Sequence, residues 1–194
     1  MDPKYLLRIS GFRENDLLIL TKKLGVGVIT TAIKKQESTE EAKDAAIASM
    51  LKLNDQAAKI AIESGATGAT DITGFGLLGH LGRAARESKV DVEINVSEVP
   101  ILPDARNLAL AGNLPGGSKR NLEWIESRLD VGSVEDVDVN LLADAQTSGG
   151  LLFCVEPEEV ETTLDKLIEA EHDAAGIGRM NSGSGLIRLS SEHK

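Results

Sequence analysis

The densest chemistry lies in Thr70-Asp71-Ile72-Thr73-Gly74-Phe75-Gly76-Leu77-Leu78-Gly79-His80. Asp71 is a hard oxygen donor of the kind that holds magnesium beside phosphate oxygens. Thr73 or Asp71 can cap a following helix, whose free N–H groups favour an anion. Gly74 and Gly76 let a backbone come close to a ligand. The same residues also have a plain structural reading, with Asp71 as an N-cap and the glycines as packing points, and the local sequence leaves both open. Gly74, Gly76 and Gly79 match G-x-G-x-x-G. However, Gly65-Ala66-Thr67-Gly68-Ala69 before them reads as a poor strand, and Asp91 comes too early for a ribose-binding acid. A dinucleotide fold is therefore disfavoured.

A second candidate is Asp144-Ala145-Gln146-Thr147-Ser148-Gly149-Gly150. Its hydroxyls and glycines suit a backbone nest for an anion, or an ordinary loop entering a strand. A third is Pro115-Gly116-Gly117-Ser118-Lys119-Arg120-Asn121, read as a flexible turn whose two cations suit phosphate or simply solvent. His80 falls on a helix, where a packed or surface role is commoner than a catalytic one. Cys154 sits in the apolar run Leu151–Val155, which favours a small buried hydrophobe over a reactive thiol. No Ser-His-Asp order, paired-carboxylate pattern or Cys-type zinc spacing stands out.

The elements that must carry these segments are mixed. Asp16–Thr21 reads as a buried strand, and Gly25 and Gly27 then break the pattern. Ser38-Thr39-Glu40-Glu41 is a capping signature that predicts one long helix to about Ser64, with Ala42, Ala46, Met50, Leu53, Ala57 and Ile60 as its buried stripe. Gly65 would stop it. A second helix is expected from Gly74 to Glu87. Val90–Val96 alternates like a half-buried strand, and Asp104–Ala111 reads as a short helix. Gly112–Val139 is the least regular stretch and is read as a long functional loop with helical pieces. Leu151–Val155 is a strand, and Pro157 opens a helix to about Glu171. Ala174–Arg179 and Leu186–Leu189 are expected to close as a hairpin. The order implies an α+β fold with a mixed, mainly antiparallel sheet layered with helices.

The chain has 194 residues, 41% hydrophobic but only 3% aromatic, so its core must be aliphatic. Its net charge of −10 argues against a nucleic-acid groove and against docking on an anionic membrane. Its single cysteine forbids an internal disulfide. Met1–Ser10 lacks the apolar stretch of a signal peptide. A soluble cytoplasmic protein is expected.

Five segments together resemble the C-terminal domain of selenophosphate synthetases. They are Leu20-Thr21-Lys22-Lys23-Leu24-Gly25-Val26-Gly27-Val28; Met50-Leu51-Lys52-Leu53-Asn54; Asp71 to His80; Leu114-Pro115-Gly116-Gly117 with Arg120-Asn121; and Asp144 with Gln146 to Leu152. The resemblance runs from about Ile9 to about Leu189. It separates this family from the aminoimidazole ribonucleotide synthetases, thiamine monophosphate kinases and hydrogenase-maturation dehydratases that share its fold. It implies a partly ferredoxin-like domain of the aminoimidazole ribonucleotide synthetase type. It also implies a homodimeric enzyme that makes selenophosphate from selenide, ATP and water and releases AMP and phosphate.

On that resemblance, Asp71 is a magnesium ligand offered to ATP. Thr73, Gly74, Gly76, Thr147, Ser148, Gly149 and Gly150 are the candidate phosphate contacts. The catalytic residues lie in an N-terminal nucleotide domain whose motifs are absent here, and that domain would bind most of the ATP and magnesium. Residues 1–15, with Tyr5-Leu6-Leu7-Arg8, resemble the tail of that domain or a linker, and 16–194 form the C-terminal domain. The family pattern has proline at Lys23 and Ala145, threonine or isoleucine at Val26, and cysteine at Ala143. One aspartate cannot hold two or more magnesium ions and a triphosphate. The alternative is a stand-alone anion- or nucleotide-binding regulatory module of the same fold.

Overall fold

A computed structural model of the chain describes residues 6–191. Tyr5 and the rest of 1–5, part of the expected linker, lie outside the described residues. At the centre is a seven-stranded sheet of β1 (Leu17–Leu20), β2 (Gly68–Asp71), β3 (Val90–Asn95), β4 (Leu129–Asp130), β5 (Leu151–Val155), β6 (Ala175–Ser182) and β7 (Ile187–Ser190). The strand order is β2-β5-β1-β6-β3-β7-β4. Only the β3–β7 and β4–β7 pairs are parallel, so the sheet is mixed and mainly antiparallel, as expected.

The apolar runs of β1 and β5 arise because both faces of the sheet are covered. Leu18, Leu20, Leu152 and Cys154 point into the largest core cluster, against Leu77, Leu78 and Leu81 of α4 (Gly76–Ser88) and Ile125 of α6 (Gly116–Ile125). Ile19, Phe153 and Val155 point the other way, against Ala57 and Ala61 of α3 (Asp55–Glu63) and Leu167 of α8 (Val160–Glu169). A third cluster joins α1 (Val26–Lys35), α2 (Glu40–Leu51), α5 (Ala105–Leu110) and α7 (Asp136–Leu142). Phe12 lies in the main core, and its backbone N–H donates to Ser88 Oγ at 3.2 Å, so the chain ahead of β1 packs on this domain.

Five expectations change. Neither Thr73 nor Asp71 caps the helix that follows: α4 has Phe75 at its N-cap and no side-chain cap hydrogen bond, because the Thr73 hydroxyl is turned to His80. The long helix is two, α2 and α3, separated at Lys52-Leu53-Asn54, and Leu53 is 71% exposed rather than part of a buried stripe. The two halves serve different clusters, Ala42 and Ala46 in one and Ala57 and Ala61 in another, so no single stripe could satisfy both. The stretch read as a poor strand supplies β2, held antiparallel to β5 at the sheet edge. The stretch read as a flexible turn is the start of α6, hidden because Pro-Gly-Gly is a poor helix signal.

The closing hairpin does not form, because β3 lies between β6 and β7. Asp91 explains this. Its Oδ1 accepts from the N–H groups of Ser184, Gly185 and Leu186 at 2.8, 3.1 and 2.9 Å, so the turn folds over β3 and the two strands flank it. Those backbone donors and Arg188 hold the Asp91 carboxyl below its ordinary value despite burial.

Candidate functional site

β2 delivers Asp71 to the edge of the sheet, where its side chain is exposed. The backbone behind it is fixed on three sides. The Ile72 N–H donates to the Gly150 carbonyl at 2.9 Å. The Thr73 carbonyl accepts from Gly76 at 2.9 Å and Gln146 at 3.2 Å. The Thr73 N–H donates to His80 Nε2 at 3.2 Å, and Thr73 Oγ1 lies 3.1 Å from the same nitrogen. A ring nitrogen that accepts a backbone N–H carries no proton, so the His80 proton sits on Nδ1. Burial pushes the imidazole below its ordinary pKa, Asp71 opposes that shift and Arg83 adds to it. His80 is thus the loop's anchor, seated edge-to-face on Phe75 with ring centroids 5.7 Å apart.

The two segments singled out by sequence, 71–76 and 144–150, are neighbours. A Cβ on Gly149 would lie 1.8 Å from the Ile72 carbonyl oxygen, so only glycine permits this approach. Gly76 has φ +67° and packs on the Ala143 carbonyl, which requires glycine on both counts. The third segment arrives through Asn121 on α6, whose Nδ2 donates to the carbonyls of Gly74 at 3.0 Å and Ala143 at 3.1 Å. A cleft of about 420 Å³ opens here, lined by Gly74, Phe75, Gly117, Arg120, Asn121 and Trp124. The Arg86 guanidinium lies 4.8 Å from the Trp124 ring centroid on its flank.

The polar groups of the 144–150 strap are mostly engaged within the protein. Ser148 Oγ donates to the Met50 carbonyl at 2.7 Å. The Ser148 carbonyl accepts from Lys22 Nζ at 2.9 Å and the Gly149 carbonyl from Asn54 Nδ2 at 2.9 Å. Thr147 and Ser148 are both exposed, and of the two hydroxyls only that of Ser148 is hydrogen-bonded among the described residues. Asp144 and Gln146 turn inward to the start of α1. Asp144 Oδ2 accepts from Gly27 N at 2.8 Å, and Gln146 Oε1 accepts from Gly25 and Val26 at 3.1 and 3.3 Å. Burial pushes the Asp144 carboxyl up to about 7 against the pull of the backbone N–H groups of Gly27, Val28 and Gly25.

Sequence reasoning missed the positioning work of Lys22, Asn54, Asn121, Asp144 and Gln146. Each sits inside a motif that was noticed, yet its hydrogen-bond partner lies up to 126 residues away in the chain. Cys154 is fully buried beside Asp16 and Thr67, and burial pushes its thiol up to about 12, which fits an inert thiol.

The donor set bears on magnesium. Among the described residues no three His, Cys, Asp or Glu side chains converge on one point. Asp71 therefore belongs to no such cluster among the described residues. No helix among the described residues is long and apolar enough to cross a membrane.

Residues 13–188 match the family described as AIR synthase related protein, C-terminal domain. The chain is 41% identical over 165 residues to the selenide, water dikinase of Caldanaerobacter subterraneus subsp. tengcongensis, covering 85% of this chain and 48% of that protein. It is 39% identical over 194 residues to that of Paraburkholderia xenovorans, covering 97% and 54%. The chain thus spans about half the length of the curated relatives it matches. Among solved structures, hydrogenase maturation protein HypE superposes with a TM-score of 0.66 at 19% identity, over 97% of this chain and 53% of its own. Thiamine-monophosphate kinase from Stenotrophomonas maltophilia does so with 0.65 at 15%, over 97% and 54%. At those identities the likeness shows the fold alone.

Proposed function

Because the chain belongs to the family of AIR synthase related protein C-terminal domains, we propose that it is the C-terminal half of a selenide, water dikinase. The whole enzyme would make selenophosphate from selenide, ATP and water and release AMP and phosphate. The observation that carries this reading is the 41% identity to a selenide, water dikinase over 165 residues, far above the 15–19% shared with other enzymes of the fold. In this reading residues 1–15 lead in from the N-terminal domain, which holds most of the ATP and its magnesium. The setting is cytoplasmic and the assembly a homodimer.

The chain's own part is positional. Asp71 stands exposed at the end of β2, where a carboxylate can complete a magnesium site built mainly by another domain. Magnesium would supply charge neutralisation on the phosphates. His80, Gln146 and Gly150 hold the backbone that carries Asp71. Thr73, Gly74, Gly76 and the exposed Thr147 border the space beside it, while the groups of Ser148, Gly149 and Gly150 tie the strap down.

The test is a chimera in which this chain replaces the matched half of the Caldanaerobacter enzyme. Selenide-dependent conversion of ATP to AMP by the chimera is expected. Asp71→Asn should lower its rate by about a hundredfold or more, as for loss of a transition-state charge contact, with the fold unchanged by circular dichroism. A folded chimera without activity overturns the assignment. Full activity of Asp71→Asn at saturating magnesium overturns the metal role.

A further inference from the structure

A second cleft, of about 270 Å³, opens between α2, the Thr21–Lys23 stretch, Leu102–Pro103 and the turn Glu171–Asp173. It is separate from the cleft beside Asp71. Its walls carry three lysines. Lys23 is matched by Asp173 at 2.8 Å. Lys22 and Lys52 form no ion pair among the described residues. Lys22 Nζ is saturated by three carbonyls, those of Ser49, Lys52 and Ser148. Lys52 Nζ donates to the Ala170 carbonyl at 2.9 Å, which leaves two of its three N–H groups unassigned.

His172 also lines this cleft, only 5% exposed, and neither ring nitrogen has a hydrogen-bond partner. Burial, then Lys52 and Lys22, hold its pKa below the ordinary value, while Asp55 and Asp173 oppose. Burial and Lys52 likewise hold Lys22 down. The wall also carries Glu171 and Asp173, but Lys22 and Lys52 are neighbouring cations in no ion pair, and beside them the buried histidine keeps both nitrogens unbonded, which is a costly combination. An acceptor carrying negative charge relieves every part of it at once.

We propose that this cleft binds a small oxyanion of the phosphate type, held by Lys52 and His172 in the field of Lys22. The anion takes the free N–H groups of Lys52 and a ring N–H of His172. The ring nitrogens are enclosed, so the imidazole turns to meet the anion and its resonances report the event. Through Lys22 the site abuts the Ser148 carbonyl, yet it requires nothing of the reaction proposed above.

Inorganic phosphate titrated into the full chain, followed by the imidazole resonances of His172 at constant ionic strength, tests this. The chain has three histidines, so His172→Gln identifies the signal. Saturable movement of that signal at millimolar phosphate is expected. Lys52→Gln should weaken it about tenfold or more, the worth of a charged hydrogen bond, and Lys34→Gln, at an exposed position of α1, should leave it unchanged. Equal movement with sodium chloride, movement that never saturates, or undiminished binding in Lys52→Gln overturns the site.

Discussion

At the scale of single residues, Asp144 is the group whose charge state matters most. It is buried at the start of α1 with Oδ2 on Gly27 N and Oδ1 unpartnered. Its pKa is raised from 3.8 to about 7. A carboxyl that is harder to ionise folded than unfolded contributes stability below the unfolded value, and loses it as pH rises through the folded one. The window runs from about 4 to about 7. Asp144→Asn keeps an acceptor for Gly27 N and removes the buried charge. Relative to the parent, the variant should gain stability on going from pH 5 to pH 8 in denaturant unfolding. An unchanged difference between the two pH values would show that Asp144 stays ionised throughout.

At the scale of elements, the break between α2 and α3 is held by side-chain hydrogen bonds, with Lys22 making the most of them. The last carbonyls of a helix have no partner within it, and a cation there is favoured by the helix dipole. Lys22 Nζ meets that need by donating to Ser49 at 3.1 Å and to Lys52, and it ties in the strap through Ser148. Lys22→Met should therefore cost about 2 kcal/mol, since it leaves partly buried carbonyls without their charged donor. Leu53→Ser, at an exposed position in the same break, should change stability by less than about 0.5 kcal/mol. Equal costs in urea unfolding would mean that the break is set by packing and not by Lys22. The same comparison shows where sequence reading reaches. β1, β3, β5, α5 and α8 were legible because their own side chains carry the pattern. The α2–α3 break, the β2 edge and the separation of β6 from β7 were not. Their causes, Lys22, the β5 pairing and Asp91, lie far along the chain from the elements they shape. For the candidate site, the glycine-rich segments could be found from residue types alone. That Asp144 and Gln146 point away from the Asp71 cleft, into α1, could not.

At the scale of the molecule, one edge of the sheet gathers exposed polar and aromatic side chains. Asp71 stands exposed at the end of β2, Phe75 and Trp124 are 63% and 49% exposed on the adjoining cleft, and Arg120 is free of ion pairs among the described residues. A lone solvated carboxylate cannot concentrate magnesium, and a triphosphate needs several converging donors. The 194-residue chain should therefore show no magnesium-dependent binding of a non-hydrolysable ATP analogue in calorimetric titration, whereas the chimera with the relative's N-terminal half should bind it and lose affinity on Asp71→Asn. Without magnesium, the two should differ less, because in the proposed reading Asp71 acts through the metal. Clear magnesium-dependent binding by the chain alone would make it an autonomous nucleotide module and overturn the division of labour between the halves. Binding by the chimera that ignores both magnesium and Asp71 would place the nucleotide wholly in the other domain and leave Asp71 an exposed residue at the end of β2.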